Sequence, residues 1–194
     1  VKIVGRPLLK EIFDPDDAIF PAFKKIGTIF GGVYEFDGNT EWLKPTLQEP
    51  RDLEKKLDEI EKMDVFAIRD FIMPSNWDSE KKRIFETYGK RPPLFDKIRG
   101  PVTLADSVFG AENMMFLIYD APELAVRFSN TIADVICKYC DIFIEEAGYT
   151  QEKFPHRFSF NDDDCALMTP DMYELFAAPI LEKVFNKMAP NSGD

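Results

Sequence analysis

The sequence predicts an α/β fold, on three observations. Two short apolar runs, Val65–Phe71 and Pro101–Ala105, have the length and composition of buried strands and are bounded by Pro or Gly. Around them lie stretches with apolar residues three and four apart, long enough for helices of several turns. Strands and helices that alternate in this way build a parallel sheet covered by helices. The chain has 194 residues, 45% of them hydrophobic, with 18 Phe, 7 Met and 2 Trp. That is apolar surface enough for a core, and more than a disordered chain could leave in water. One domain is expected over residues 1–194, with 1–45 as an N-terminal wrapping segment and 46–194 as successive βα units.

The elements follow in order. Asp14-Pro15-Asp16-Asp17 reads as a helix start, and Gly31 to Gly38 as a short strand ended by the Asp37-Gly38 turn. Pro50 suits the first turn of a helix, where its missing N–H costs nothing, and Leu53, Leu57 and Ile60 recur at helical spacing. The Val65 strand ends at Met73-Pro74. A helix over Asp78–Tyr88 stops at Gly89, and Arg91-Pro92-Pro93 connects it to the Pro101 strand. A mostly apolar helix runs from Ala111 to about Tyr119. Asp120-Ala121-Pro122-Glu123 has the layout of a capping box for a long helix ending near Gly148. One face of that helix carries Leu124, Phe128, Ile132, Ile136, Cys140 and Phe143; the opposite face carries Arg127, Asp134, Lys138 and Asp141. Thr169 caps a last helix beginning at Pro170, which Pro179 should kink.

Composition excludes several functions. A net charge of −11 repels nucleic-acid phosphates and anionic headgroups, so neither nucleic acid nor membrane is expected as a partner. No apolar run is long enough to span a bilayer, and a cytoplasmic location is expected. Cys137, Cys140 and Cys165 are an odd number with no sign of secretion, which argues against a disulfide framework. Cys137-x-x-Cys140 falls within a helical pattern and lacks a second ligand pair at zinc-site spacing. His156, the single histidine, stands among aromatics and cannot form a multi-histidine metal site.

Two segments could carry chemistry. Asn161-Asp162-Asp163-Asp164 sets three carboxylates before a helix, where one could hold a cation, exchange a proton or orient a ligand. The same residues are equally compatible with a solvated loop that supplies negative charge at a helix start. Asp106 and Ser107 lie just beyond the Pro101–Ala105 strand, where loop or cap hydrogen bonds explain them as well as a site does. Ser107 has no general base nearby in sequence, so it is not expected to be a nucleophile. Arg69 and Asp70 close the Val65 strand, as cavity lining or as an ion pair.

Four pieces stand in the order and spacing of one family. They are Trp42-Leu43-Lys44-Pro45 with the Pro50-Arg51-Asp52-Leu53 helix, Gly100-Pro101-Val102-Thr103-Leu104-Ala105, Asp120-Ala121-Pro122-Glu123-Leu124, and Asp162 through Pro179. Over about residues 30–190 the chain resembles the uroporphyrinogen decarboxylase superfamily, which also contains corrinoid-dependent methyltransferases. The resemblance implies a TIM-type (β/α)8 barrel. That barrel is expected only in part here, since a complete one takes about 250 residues.

Within the superfamily, decarboxylases resemble this chain at Thr103-Leu104 but carry a tyrosine where Ser107 stands and a small hydroxyl residue where Asp163 stands. Their arginine-rich substrate segment and catalytic aspartate have no match here. A pocket edged by Asp162, Asp163 and Asp164 would also repel the polycarboxylate uroporphyrinogen. The methyltransferase branch fits better by elimination. It implies methyl transfer between a corrinoid and a thiol-type acceptor, with Asp162 and Asp163 as the expected catalytic pair and Asp106, Ser107, Asp164 and Arg69 as substrate-binding residues. A tetrapyrrole or a corrinoid protein is the expected partner, and no cofactor is expected to be held tightly by this segment. Zinc would enter only through residues beyond this chain. Two other readings are a true decarboxylase and a non-catalytic truncated barrel that binds a partner chain. Self-association, or pairing with a missing barrel half, would cover open strand edges.

Overall fold

The computed structural model describes residues 2–3, 6–7, 23–89, 98–150 and 158–190, and most of them are helical. The helix start expected at Asp14, the Arg91-Pro92-Pro93 connection and His156 lie outside the described residues. Strands β1 (Lys2–Ile3) and β2 (Arg6–Pro7) pair antiparallel. A 3₁₀ turn at Ile26–Thr28 leads into β3 (Val33–Phe36), which forms an antiparallel hairpin with β4 (Glu41–Lys44). The expected Asp-Gly turn joins them. Asp37 accepts hydrogen bonds from the Thr40 and Asn39 N–H groups (2.8 and 2.9 Å) and from the Trp42 indole (2.8 Å), which together pull its carboxyl down to about 2.

Helix α1 (Pro50–Ile60) starts at its proline and buries Leu53, Leu57 and Ile60, as the spacing predicts. The Val65 segment departs from expectation: it is helix α2 (Val65–Ile72), not a strand. Asp64 is its N-cap, accepting the Ala67 N–H at 2.8 Å, and the buried pair Ile68 and Ile72 is spaced one helical turn apart. Helix α3 (Trp77–Tyr88) stops at Gly89, whose φ of 67° lies in the left-handed region glycine tolerates.

The Pro101–Ala105 strand is likewise corrected to helix α4 (Pro101–Phe109). Pro101 occupies the first helical position, and Val102, Ala105, Val108 and Phe109 are buried at helical intervals. The strand character belongs one step earlier. Arg99 forms a parallel bridge to Asn161, and the Gly100 N–H donates to the Asn161 carbonyl at 2.8 Å. Both bridge partners run on toward helices, the connectivity of an α/β unit. Among the described residues this bridge and the two hairpins are all the β-structure, so a sheet of several parallel strands is not seen there.

Helix α5 (Ala111–Asp120) follows, then α6 (Pro122–Ala147), which ends at Gly148 as expected. The N-cap of α6 is Ala121, with no side-chain cap, so the expected capping box is not formed. Helix α6 is the axis of the core. Phe128 lies 5.8 Å from Phe176 and 6.0 Å from Phe30, while Phe143 contacts Tyr139 (4.6 Å) and Phe23 (5.0 Å). Its charged face pairs with neighbouring elements. Arg127 holds Asp58 and Glu61 of α1, the Lys138 ammonium donates to the Met63 carbonyl, and Asp134 and Asp141 pair with Lys183 and Lys187.

Those two lysines belong to α7 (Pro170–Met188), which Thr169 caps by accepting the Met172 N–H. The helix continues through Pro179. One turn before it, the buried Ser129 hydroxyl of α6 donates to the Phe176 carbonyl at 2.7 Å. No described helix is long and apolar enough to cross a membrane.

Candidate acidic site at the start of α4

The site is built where the Arg99–Asn161 bridge delivers two backbones side by side. Phe158 and Phe160 precede Asn161, and both rings pack edge-on against Phe185 of α7 (5.9 and 5.8 Å), which anchors the carboxylates that follow. Asp163–Leu167 then forms a 3₁₀ turn rather than a strand end. The three aspartates therefore do not share one direction.

Asp162 reaches across to α4. Its Oδ1 accepts the Thr103 N–H at 2.8 Å and its Oδ2 the Val102 N–H at 3.4 Å, satisfying donors that the first turn of a helix leaves open. Gly100, the N-cap residue, has no side chain to do this. A Cβ on Gly100 would meet the Asp162 Cβ at 2.1 Å, so glycine is what allows the carboxylate to lie there. Asp164 is half-buried, and its own N–H donates to the Thr103 hydroxyl at 3.3 Å. Asp163 between them is exposed.

Asp106, one turn further along α4, is 6% exposed, and among the described residues neither of its carboxylate oxygens has a hydrogen-bond partner. Burial, then the charges of Asp164 and Asp162, push its carboxyl up to about 7. Among the described residues no lysine or arginine forms an ion pair with Asp106, Asp162 or Asp164. The Arg99 guanidinium donates to the half-buried Ser107 hydroxyl at 3.4 Å. Tyr173 of α7 is half-buried, and its hydroxyl is raised by burial and then by the charges of Cys165 and Asp162.

Five of the six residues singled out in the sequence thus fall on this face of α4 and the adjoining turn. Arg69 does not. It sits on α2 beside the buried Glu146 of α6, whose carboxylate accepts Arg69 Nε (2.6 Å), Lys81 Nζ (2.7 Å) and Trp77 Nε1 (2.8 Å), while Asp78 takes the other end of the guanidinium at 3.0 Å. Burial alone would raise Glu146, but the hydrogen bonds from Lys81, Trp77 and Arg69 outweigh it and hold the carboxyl below its usual range. Gly100, Thr103 and Asn161 were not marked as site residues by the sequence. The Gly-Pro step at 100–101 was the available signal, since Gly before an N1 proline leaves the cap to another segment.

Metal chemistry finds no ligand set here. Among the described residues no three His, Cys, Asp or Glu side chains are arranged to hold a metal ion. Cys137 and Cys140 are free thiols on α6; burial raises both, Cys140 to about 12, so neither offers a thiolate near neutral pH.

Comparison with known proteins supplies one match. The family model described as uroporphyrinogen decarboxylase (URO-D) matches residues 41–193, a span that contains α1 to α7 and the whole acidic site. No curated protein and no solved structure matches the chain significantly.

Proposed function

This chain belongs to the uroporphyrinogen decarboxylase family, and from that premise we propose that it contributes the acidic wall of a methyl-transfer site rather than a decarboxylase pocket. The observation that carries the proposal is Asp106, a buried carboxyl without a hydrogen-bond partner among the described residues, flanked by Asp162 and Asp164. A polycarboxylate porphyrinogen brought to this face would meet three carboxylates and no paired cation among the described residues, an arrangement that disfavours it. A methyl acceptor such as a thiol must instead lose a proton as its bond to carbon forms. A carboxyl poised near neutrality is suited to receive that proton.

The residues divide the work. Asp106 accepts the acceptor's proton, and the methyl donor departs with the electron pair of the broken bond. Asp162 is a positioning residue, since its oxygens are committed to the first turn of α4. Asp164 raises the basicity of Asp106 through its charge. The corrinoid enters as the methyl-bearing substrate, and zinc has no ligand set among the described residues.

The test is a paired assay on the longest natural form of the protein. Methyl transfer from methylcobalamin to a small thiol is expected, falling at least ~10-fold in Asp106→Asn, with no carbon dioxide released from uroporphyrinogen. Decarboxylation without methyl transfer would replace this reading with the decarboxylase one.

A further inference from the structure

We propose that the α4 acidic site binds a protonated amine, a ligand whose N–H groups occupy the two unpartnered oxygens of Asp106. The proposal goes beyond the methyl-transfer reading: it concerns what the site binds, and it rests on the geometry of Asp106 rather than on that reaction. Two carboxylate oxygens, buried on a residue 6% exposed and lacking any donor among the described residues, set the requirement. A buried polar group left without a donor is costly, and a buried carboxylate more so.

The chemistry of the donor follows from what surrounds it. A thiol S–H is a weak donor and carries no charge, so it would leave the site nearly unsatisfied. A metal ion would need three or more side chains arranged around it, and no such group of His, Cys, Asp or Glu exists among the described residues. An anion would meet Asp106, Asp162 and Asp164 together. A protonated nitrogen supplies several N–H donors and the positive charge that the three carboxylates lack, and charge-assisted bonds of this kind are the strong ones. Among the described residues, the charges acting on Asp106 are those of Asp164 in the 3₁₀ turn and Asp162 just before it, with Tyr173 and Cys165 near Asp162 and Arg99 donating to Ser107. The Asp162 and Asp164 charges add to the attraction for a cation. Binding an ammonium ion requires ionised Asp106, so affinity rises with pH and levels off above about 7.

The experiment is calorimetric titration of the full chain at pH 8 with methylammonium, tetramethylammonium, potassium and acetate salts at constant ionic strength. Saturable one-site binding of methylammonium is expected, at least ~10-fold tighter than tetramethylammonium, which has no N–H to donate, and with no binding of potassium or acetate. Asp106→Asn should weaken methylammonium binding by at least ~10-fold, whereas Asp120→Asn, which removes an exposed charge at the end of α5, should leave it unchanged. Equal binding of methylammonium and tetramethylammonium, or of methylammonium and potassium, overturns the proposal on the unaltered protein, without recourse to a variant. Methyl transfer to a thiol with no ammonium binding would overturn it too while leaving the methyl-transfer reading intact. Ammonium binding with no methyl transfer to any acceptor would support the site and remove that reading.

Discussion

Asp106 has a folded-state pKa well above the ordinary carboxyl value of 3.8, and the sign of its effect on stability is therefore the reverse of an ion-paired aspartate. Between about pH 4 and pH 7 the unfolded chain has given up a proton that the folded chain retains, so this residue makes stability fall as pH rises, until both states are ionised. Asp106→Asn removes the charge and keeps the shape. It should raise stability at pH 8 by roughly 1–2 kcal/mol, allowing for partial access of water, and change it little at pH 5, where Asp106 is already neutral. Thermal melts at the two pH values check this, and equal shifts at both would mean that the carboxyl is not ionising in a buried setting. Aspartates 162 to 164 illustrate the limit of reading residues by type. Three consecutive acids look alike in the sequence, yet one caps a helix, one faces solvent and one modulates Asp106.

Helices α2, α3 and α6 are joined through the single carboxylate of Glu146, which binds Arg69, Trp77 and Lys81. Removing it would leave the Trp77 indole N–H without its acceptor, and Arg69 and Lys81 with only the exposed Asp78 and Asp70. Glu146→Ala should cost about 3 kcal/mol, the range found when one member of a buried ion pair is deleted. Because the Glu146 carboxyl is held low, its contribution is complete above its unfolded value near 4.5 and disappears as pH falls through the lower folded value. The difference between wild type and variant should accordingly be full at pH 7 and shrink at strongly acid pH, as read from urea melts. At this scale the sequence was legible in part. Terminal signals worked: Pro50, Gly89, Gly148 and Thr169 stand at the element ends they predict. Short apolar runs did not, because a seven-residue run such as Val65–Phe71 satisfies a strand and a two-turn helix equally, and residues at helix starts such as Asp64 and Pro101 tip the balance.

Stability should be unevenly distributed over the molecule. Helix α6 buries residues along its whole length and contacts α1, α2, α5 and α7, so its amides should open only with global unfolding. The backbone at Ile98–Gly100 pairs through one parallel bridge and, among the described residues, has no strand on its other side. Hydrogen exchange should be fast there and slowest in the middle of α6. Protection at 98–100 equal to that of α6 would mean that further chain covers this edge, as a more complete barrel would require.

Family, the ends of several helices and the acidic character of the site were determined by the sequence, because they rest on local spacing, on proline and glycine positions and on the order of short motifs. Tertiary structure decided the rest. It set Asp162 against Gly100 across 62 positions of chain, turned the charged face of α6 into contacts with α1 and α7, separated Arg69 from the aspartates, and left Asp106 buried without a partner. Each of these depends on which surfaces meet. A residue's charge and helix propensity travel with it along the chain, but its solvation and its neighbours come into being only when distant segments pack.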